Sequence, residues 1–288
     1  VVDIVTTFAD VRAACRGTVG LVPTMGYLHE GHLSLMATAR GATDTVVVSV
    51  FVNPLQFGEG EDLDQYPRDL DRDAELAAGV GTDVLFAPAV GEMYPVEPVM
   101  RVTVGKLADH LCGPYRPGHF EGVATVVTKL LAGIRPDVAF FGRKDAQQLV
   151  ILERLAVDLS FPVRVVGCPI VREADGVAMS SRNVYLSSDQ RVSARALSRG
   201  LGRAVEAVKS GERSSATLVD LVRAECASTP GVDVQYVEMV DAAGLQPIET
   251  LDRDAILAVA AFVGTTRLID NAHFWTRGDD ISFQLGGA

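Results

Sequence analysis

Residues 20–32 read Gly20-Leu21-Val22-Pro23-Thr24-Met25-Gly26-Tyr27-Leu28-His29-Glu30-Gly31-His32. Gly20 to Pro23 has the character of the end of a buried strand, and from Gly31 to Arg40 the apolar residues Leu33, Met36 and Ala37 recur at helical spacing. The stretch predicts a strand, a tight loop and a helix. Working outward, Thr45-Val46-Val47-Val48-Ser49-Val50-Phe51-Val52 is a β-branched run of the kind that forms a strand covered on both faces, and Asn53-Pro54 stops it. A helix follows over Arg68–Ala78, a strand over Asp83–Phe86, a helix over Gly118–Leu131 and a strand over Asp137–Phe141. A helix over Asp145–Leu159 and a strand over Val163–Val166 complete the series. Repeated βα units of this length predict an α/β fold with a Rossmann-like, doubly wound parallel sheet. Such sheets bind ligands at the carboxyl ends of their strands, so the loops after Val22, Val52 and Phe141 are where function is expected.

Beyond Ser181 the pattern changes. Ser188–Lys209 is a long helix carrying Arg191, Arg195, Arg199 and Arg203 at every fourth position, a stripe expected to face solvent. Arg213–Ala227 is a second helix closed by Thr229-Pro230-Gly231, and three short strands follow at Val234–Val240, Ala255–Val263 and Thr265–Leu268. This is a smaller α+β module. The boundary falls near Val171, dividing the chain into residues 1–170 and 171–288.

With 288 residues, 48% hydrophobic and 22% charged, the chain can bury a substantial core. Its apolar runs fall well short of the ~18 residues that suggest a membrane span. A net charge of −11 argues against nucleic acid or an anionic membrane as partner. Four cysteines, Cys15, Cys112, Cys168 and Cys226, include no C-x-x-C pair, which fits a reducing cytoplasmic compartment rather than a disulfide framework or zinc site. The first residues lack the features of a secretory signal, and the missing initiator Met predicts a few further residues upstream.

Three short segments carry chemistry. His29-Glu30-Gly31-His32 puts two of the five histidines at the mouth of a helix. There Gly31 admits a phosphate close to the backbone, helix amides and dipole favour an anion, and imidazoles donate to phosphate oxygens. One histidine capping the helix and the other packing is an equal alternative on these residues alone. Gly142-Arg143-Lys144-Asp145 sets Lys144, one of only four lysines, at the carboxyl edge of the sheet, within reach of a triphosphate. Its plainer reading is an exposed turn with Asp145 as helix cap. Met179-Ser180-Ser181-Arg182-Asn183 offers two hydroxyls and a guanidinium in a mobile polar loop suited to β- and γ-phosphates, but by itself reads more readily as an ordinary serine turn. Taken together, in this order on an alternating α/β chain, the three point to transfer at a nucleotide α-phosphate.

Pro23 to His32 closely resembles the signature of the pantoate–β-alanine ligase (pantothenate synthetase) family, within the H-x-G-H nucleotidyltransferase superfamily. The resemblance runs in order through Phe51-Val52-Asn53-Pro54-Leu55-Gln56-Phe57, Tyr66-Pro67-Arg68, Arg116 to Val123 and Phe140 to Gln148. It continues through Arg172-Glu173-Ala174-Asp175-Gly176, Met179 to Asn183 and Gly264 to Asn271, and so covers almost the whole chain. It implies an AMP-forming ligase: pantoate is adenylated by ATP, pyrophosphate leaves, and the amine of β-alanine then displaces AMP to give pantothenate. It further implies that Met25, Gly26, Tyr27, Leu28, His29, Glu30, Gly31 and His32 bind ATP, that His29 and His32 stabilise the α-phosphate, and that His32 is a proton donor. Gly142, Arg143, Lys144 and Asp145 would bind ATP with Lys144 on the phosphates. Val171 would meet adenine through its backbone, and Met179, Ser180, Ser181 and Arg182 would close over the phosphates. Gln56 and Gln148 would hold pantoate, their amides offering both donor and acceptor to a hydroxy acid, and Gln56 would also meet β-alanine. The family implies a homodimer through the larger domain, with residues 171–288 as a lid.

The family often has Glu and Tyr where this chain has Arg143 and Ala146, a change that bears on nucleotide affinity. Eight acids lie between Gly58 and Glu75, where some members approach magnesium. Arg72 sits among them, the run reads as a solvated loop and helix face, and no protein metal ligand is assigned. Mg2+ is expected with ATP, held mainly by phosphate oxygens and water. Arg116 and His119 are weaker candidates for the substrate pocket and Tyr66 for a lid over it. His110, His273 and Trp275 carry no signal separable from packing. Two other functions share parts of these motifs. A nucleotidyltransferase with a stable nucleotidyl product would not release free AMP, and a nucleotide sensor would leave ATP intact.

Overall fold

The computed structural model describes residues 2–278 and 280–286. Its elements are β1 (Asp3–Val5), α1 (Phe8–Ala14), β2 (Val19–Thr24), α2 (Glu30–Arg40), β3 (Thr45–Val50), α3 (Leu70–Gly79), β4 (Val84–Phe86) and α4 (Val90–Met93). There follow α5 (His119–Ile134), β5 (Val138–Gly142), α6 (Ala146–Asp158), β6 (Arg164–Cys168), α7 (Ser188–Lys209), α8 (Ser215–Ala227), β7 (Val232–Asp241), β8 (Ala255–Val263), β9 (Thr266–Arg277) and β10 (Asp280–Gln284). The chain forms two compact units. One comprises Val1–Gly105, Arg116–Gly142 and Ile151–Cys168; the other comprises Lys106–Tyr115, Arg143–Val150 and Pro169–Ala288.

The first unit is built on a six-stranded sheet in the order β1-β4-β3-β2-β5-β6, every neighbouring pair parallel. The Rossmann-like reading holds. From β2 the chain moves outward through β3 and β4 on one side and through β5 and β6 on the other. The point where the direction reverses therefore lies between β2 and β5, where sheets of this kind take their ligands. The β-branched run of β3 is buried throughout its first five residues, as a strand covered on both faces must be. It ends at Val50, two residues short of the expectation, because its partner β2 ends opposite at Thr24. Leu35, Met36 and Ala39 of α2 pack with Leu28, Val22, Val48, Leu85 and Phe140 in the core. Met36 is buried as expected and Leu33 is half-buried against the core, whereas Ala37, expected on the same face, is exposed, the buried stripe running through positions 35, 36 and 39. The expectation also missed β1 and α1, a three-residue edge strand paired with β4 and a helix capped by the Thr7 hydroxyl.

The second unit carries an antiparallel sheet in the order β10-β9-β8-β7, with α7 and α8 contributing Leu197, Leu201, Val205, Leu218 and Val222 to its core. Three short strands were expected here. The structure has four, because the third runs on to Arg277 and pairs with β10. Asp270, Asn271 and His273 interrupt the apolar alternation, yet all three are buried. Their partners lie far away in sequence, which is why periodicity could not see them. The Arg stripe of α7 is not simply a solvent face. Arg191 pairs with Glu173 and Asp175, and Arg199 and Arg203 both pair with Glu225. Among the described residues no helix is long and apolar enough to cross a membrane.

Candidate active site

The loop between β2 and α2 is held by one carboxylate. Gly26 and Tyr27 both take left-handed conformations, with φ of 85° and 51°. Consecutive residues of this kind turn successive amide N–H groups toward one point, a concavity that accepts an anion. The anion is internal. Asp73 of α3 is 1% exposed, its Oδ2 accepting the Tyr27 N–H at 2.8 Å and its Oδ1 accepting the Leu28 N–H at 2.7 Å. Burial pushes the Asp73 carboxyl above the ordinary carboxylate range, against the pull of these two amides and of the Arg72 guanidinium. Arg72 also lies over the Tyr27 ring, 5.1 Å from its centroid. One of the eight acids expected to be solvated therefore anchors the motif loop. A second, Glu61, pairs with Arg116; burial raises its carboxyl, but the Arg116 hydrogen bond and charge bring it below the ordinary range.

The Tyr27 and Leu28 amides thus point at protein rather than ligand, and the Leu28 side chain belongs to the core. The expected anion-binding features remain with the amino end of α2, whose first amides have no partner within the helix. His29 occupies the cap position and His32 the third helical position. Their rings stack at 4.0 Å, and the His29 N–H donates to His32 Nδ1 at 3.4 Å. With Nδ1 accepting, neutral His32 carries its ring proton on Nε2.

After β3 the chain makes a 3-10 turn over Pro54–Gln56. Asn53 is buried and organises it, its Nδ2 donating to Gln56 Oε1 and to the Gly122 carbonyl at 3.1 Å each. Its Oδ1 accepts the Tyr94 hydroxyl at 2.9 Å, and burial pushes that phenol up to about 12. Gln56 Nε2 donates to Met25 Sδ at 3.3 Å, so two predicted site residues meet. His119 Nδ1 is 2.8 Å from the Gln56 carbonyl and its Nε2 is 3.0 Å from Arg116 Nη1. The carbonyl only accepts and the guanidinium only donates, so these two contacts call for a donating Nδ1 and an accepting Nε2 on His119. Helix α5 comes unusually close to this turn, since a Cβ on Gly122 would lie 2.2 Å from the Leu55 carbonyl oxygen. A cleft of about 320 Å³ opens at the carboxyl ends of β2, β3 and β4, with Met25, Val50, Phe51, Arg68, Asp73 and Pro88 in its wall.

Within the second unit, Arg143–Asp145 form a 3-10 turn leading into α6. Lys144 Nζ lies 3.8 Å from Asp145 Oδ2, and Gln148 is half-buried one helical turn further on. Asn271 Nδ2 donates to the carbonyls of Arg143 and Lys144 at 3.0 and 2.9 Å. The Arg143 guanidinium sits over Trp275, 5.3 Å from the ring centroid. His273 is buried beside it, its pKa pushed down to about 4, first by burial and then by the Arg143 charge. His273 and Trp275, which carried no separable signal in the sequence, thus lie against the Lys144 turn.

The Met179–Arg182 segment, expected as a mobile polar loop, is tied to its neighbours by hydrogen bonds. Residues 172–178 form a small hairpin, with an Arg172–Ala178 bridge and the Met179 N–H donating to the Val171 carbonyl at 3.0 Å. Ser180 caps the 3-10 turn Ser181–Tyr185, and Ser181 is buried. Asn183 donates to Glu173 Oε1 at 2.6 Å and to the Ala178 carbonyl at 3.0 Å. Arg172 holds Asp270 through two bonds of 2.7 and 2.9 Å. The structure therefore groups Met25 to His32 with Gln56 in the first unit, and Lys144, Gln148, Val171 and Met179 to Arg182 in the second. Sequence reading puts Asp73 in a solvated run, takes Asn53 as a strand stop, meets Asn53, Gly122, Asp270 and Asn271 otherwise only within segments that resemble the family, and assigns none of them a role.

Comparison with known proteins adds the following. The family model for pantoate-beta-alanine ligase matches residues 2–273. A pantothenate synthetase of Heliobacterium modesticaldum is 57% identical over 266 residues, covering 92% of this chain and 95% of the relative. The crystal structure of pantothenate synthetase from Thermus thermophilus superposes with a TM-score of 0.90 at 47% identity, covering 93% of this chain and 98% of that one. The pantoate-beta-alanine ligase of Francisella tularensis, solved with Beta-gamma ATP and beta-alanine, gives a TM-score of 0.75 at 31% identity over 94% of this chain and 97% of that one.

Proposed function

The chain belongs to the pantoate-beta-alanine ligase family, and from that premise we propose how its own residues divide the work. The reaction joins pantoate to β-alanine at the expense of ATP. In the first step the pantoate carboxylate oxygen attacks the α-phosphorus and the bond to pyrophosphate breaks, giving pantoyl adenylate. In the second the β-alanine amine attacks the acyl carbon, AMP leaves with the electrons of the C–O bond, and the nitrogen loses a proton to become the amide of pantothenate.

The observation that carries the assignment is the paired-histidine helix start. His29 and His32 are stacked at the amino end of α2, and with Nδ1 accepting the His29 N–H a neutral His32 carries its proton on Nε2. That arrangement supports donation to α-phosphate oxygens as negative charge grows on them. Met25 to His32 line the nucleotide, with Leu28 acting from the core through the loop it anchors. Lys144 neutralises phosphate charge, with Gly142, Arg143 and Asp145 shaping its turn. Met179, Ser180, Ser181 and Arg182 contact the leaving phosphates, and the Val171 backbone meets adenine. Gln56 and Gln148 hold pantoate, and the full set of bonds Asn53 makes to the Gln56 turn supports a fixed amide there. No group of three or more His, Cys, Asp or Glu able to hold a metal ion occurs among the described residues. Mg2+ would arrive with ATP, held by phosphate oxygens and water, where it would offset charge on the triphosphate.

The remaining parts of the proposal are a homodimer and a cytoplasmic location. Val96, Val99 and Met100 of the first unit are exposed apolar residues that would suit such a contact, and the free thiols of all four cysteines suit a reducing compartment.

Product analysis tests the reaction. With Mg-ATP, pantoate and β-alanine, AMP and pantothenate are expected in equal amounts, and only when all three substrates are present. Exchange of pyrophosphate into ATP is expected to need pantoate but not β-alanine. ATP left intact would refute the ligase, and a stable nucleotidyl product would replace it with a transferase.

A further inference from the structure

Alternate residues of a strand face the same way, and on β9 Asn271, His273 and Trp275 form such a series. All three meet the turn that carries Lys144. Asn271 donates both protons of its amide, one to the Arg143 carbonyl at 3.0 Å and one to the Lys144 carbonyl at 2.9 Å. His273 lies beside Arg143, and Trp275 takes the Arg143 guanidinium on its face. We infer that Asn271 is a positioning residue for adenylation, fixing the main chain from which Lys144 reaches the phosphates. The inference rests on the reading of Lys144 given above.

The chemistry of the site asks for this side chain. The turn leaves two adjacent carbonyls to one partner, and a neutral side chain that holds both needs two N–H donors. A carboxamide supplies this; a hydroxyl supplies one donor, and a carboxylate supplies none and would repel both oxygens. Asn271 is 1% exposed, so bulk water is not at hand to replace a lost bond, and an unmet buried carbonyl is expensive. Lysine has four rotatable side-chain bonds, so its ammonium can be placed only if its Cα is held. Asn271 is itself held: its own N–H donates to Asp270 Oδ1 at 2.8 Å. That carboxylate is clamped by Arg172, whose Nη1 also donates to the Gly176 carbonyl at 3.1 Å. One continuous chain of bonds thus links the Lys144 turn to the hairpin that leads into Met179–Arg182. Displacing a catalytic group by about 1 Å lowers rates on the order of 100-fold, so a small relaxation of this turn is enough to be measured.

The test separates the two half-reactions. Pantoate-dependent pyrophosphate exchange reports adenylation. Aminolysis of supplied pantoyl adenylate by β-alanine reports the second step. Both are measured on Asn271→Ala, Asn271→Ser, Lys144→Ala and the Asn271→Ala/Lys144→Ala double variant, at equal folded protein judged by thermal melting. Asn271→Ala is expected to lower exchange on the order of 100-fold while aminolysis stays within about threefold. Asn271→Ser, which keeps one donor and is the milder variant should the alanine fail to fold, is expected to fall between. In the Lys144→Ala background the Asn271→Ala change is expected to add almost nothing, because a residue acting through Lys144 has nothing left to position. Equal loss in both half-reactions, or a full additional loss in the double variant, would overturn the inference and leave Asn271 a purely structural residue. Inactive Lys144→Ala beside a fully active Asn271→Ala and Asn271→Ser would overturn the inference alone. Near-normal exchange by Lys144→Ala would overturn the reading of Lys144, and the inference with it.

Discussion

The two units hold their functional turns with side chains of opposite polarity. In the first, the turn after β2 gathers the Tyr27 and Leu28 N–H groups, and a carboxylate, Asp73, accepts both. In the second, the turn at Arg143–Asp145 presents two carbonyls, and an amide, Asn271, donates to both. Each holder is almost completely buried, and each serves two consecutive residues. The difference follows from backbone geometry. Left-handed residues at 26 and 27 converge amides, the 3-10 turn at 143–145 aligns carbonyls, and buried groups of either kind must be paired. The holder is therefore chosen by which backbone group the turn leaves over. One consequence is asymmetric: Asp73 can take up a proton and Asn271 cannot.

The largest effect expected is from Asp73→Asn. The amide keeps one acceptor but turns a donor toward an amide N–H, leaving both buried groups unsatisfied at about 1–3 kcal/mol each. Pantoate-dependent pyrophosphate exchange should fall on the order of 100-fold as the His29–His32 helix start shifts. The wild-type chain should also show a titration that the variant lacks. Burial raises the Asp73 carboxyl above its ordinary range, so as pH falls the neutral acid loses an acceptor and exchange should decline. Stability should run the other way for this group. An acid whose folded pKa is raised contributes stability that is present below the unfolded pKa and is lost as pH rises through the folded one. Exchange and melting temperature measured across the acid range would show the opposition. Superimposable pH profiles for wild type and Asp73→Asn would dissolve the distinction between a titratable and a fixed holder.

This comparison also explains what the sequence made legible. The alternation of strands and helices and the two loops at the ends of β2 and β5 follow from local pattern, and His29, His32 and Lys144 stand out as candidates through the segments that resemble the family. The holders do not. Asp73 lies in an acidic run in which Asp69, Asp71 and Glu75 are exposed, and nothing but its helical phase with buried Ala77 marks it as inward. Asp270, Asn271 and His273 broke the apolar alternation of β9 so thoroughly that the strand was expected to end at Leu268. In each case the missing information is a partner 45 or more residues away, and buried polar residues are defined by such partners.

A third turn in the first unit, Pro54–Gln56, is held by the Asn53 side chain and is also met closely by the α5 backbone at Gly122, and Gly122→Ala tests that close approach. The added Cβ would fall 2.2 Å from the Leu55 carbonyl oxygen and 2.6 Å from Gln56 Cα. These are backbone atoms, so the strand-end turn or α5 must move, and overpacking of this sort destabilises by about 1–3 kcal/mol. The accompanying change should be selective. Displacing Gln56 should raise the KM for pantoate more than that for ATP, because the His29–His32 start is held separately by Asp73. A parallel rise in both constants, measured by steady-state kinetics with thermal melting alongside, would mean that the turns of the first unit are not held independently.

The smallest effect expected is from Arg143→Ala, and it sharpens the contrast most finely because Arg143 belongs to the same turn as Lys144. Its side chain lies over Trp275 at 5.3 Å, a contact worth about 0.5–1 kcal/mol where solvent reaches it. Its main chain is bound by Asn271. Removing the side chain leaves that bond in place, so exchange should stay within about threefold of wild type, a change of less than about 1 kcal/mol. Histidine titration by NMR should nevertheless register the change. Burial is the first cause of the lowered His273 pKa of about 4, and the Arg143 charge adds to it. Loss of that charge should move the value upward, though not to the ordinary one. A variant that shifts His273 while sparing adenylation would show that β9 holds this turn by its backbone. A loss as deep as that expected for Asn271→Ala would show instead that the stack on Trp275 holds it, and the two units would no longer solve the same problem in the same way.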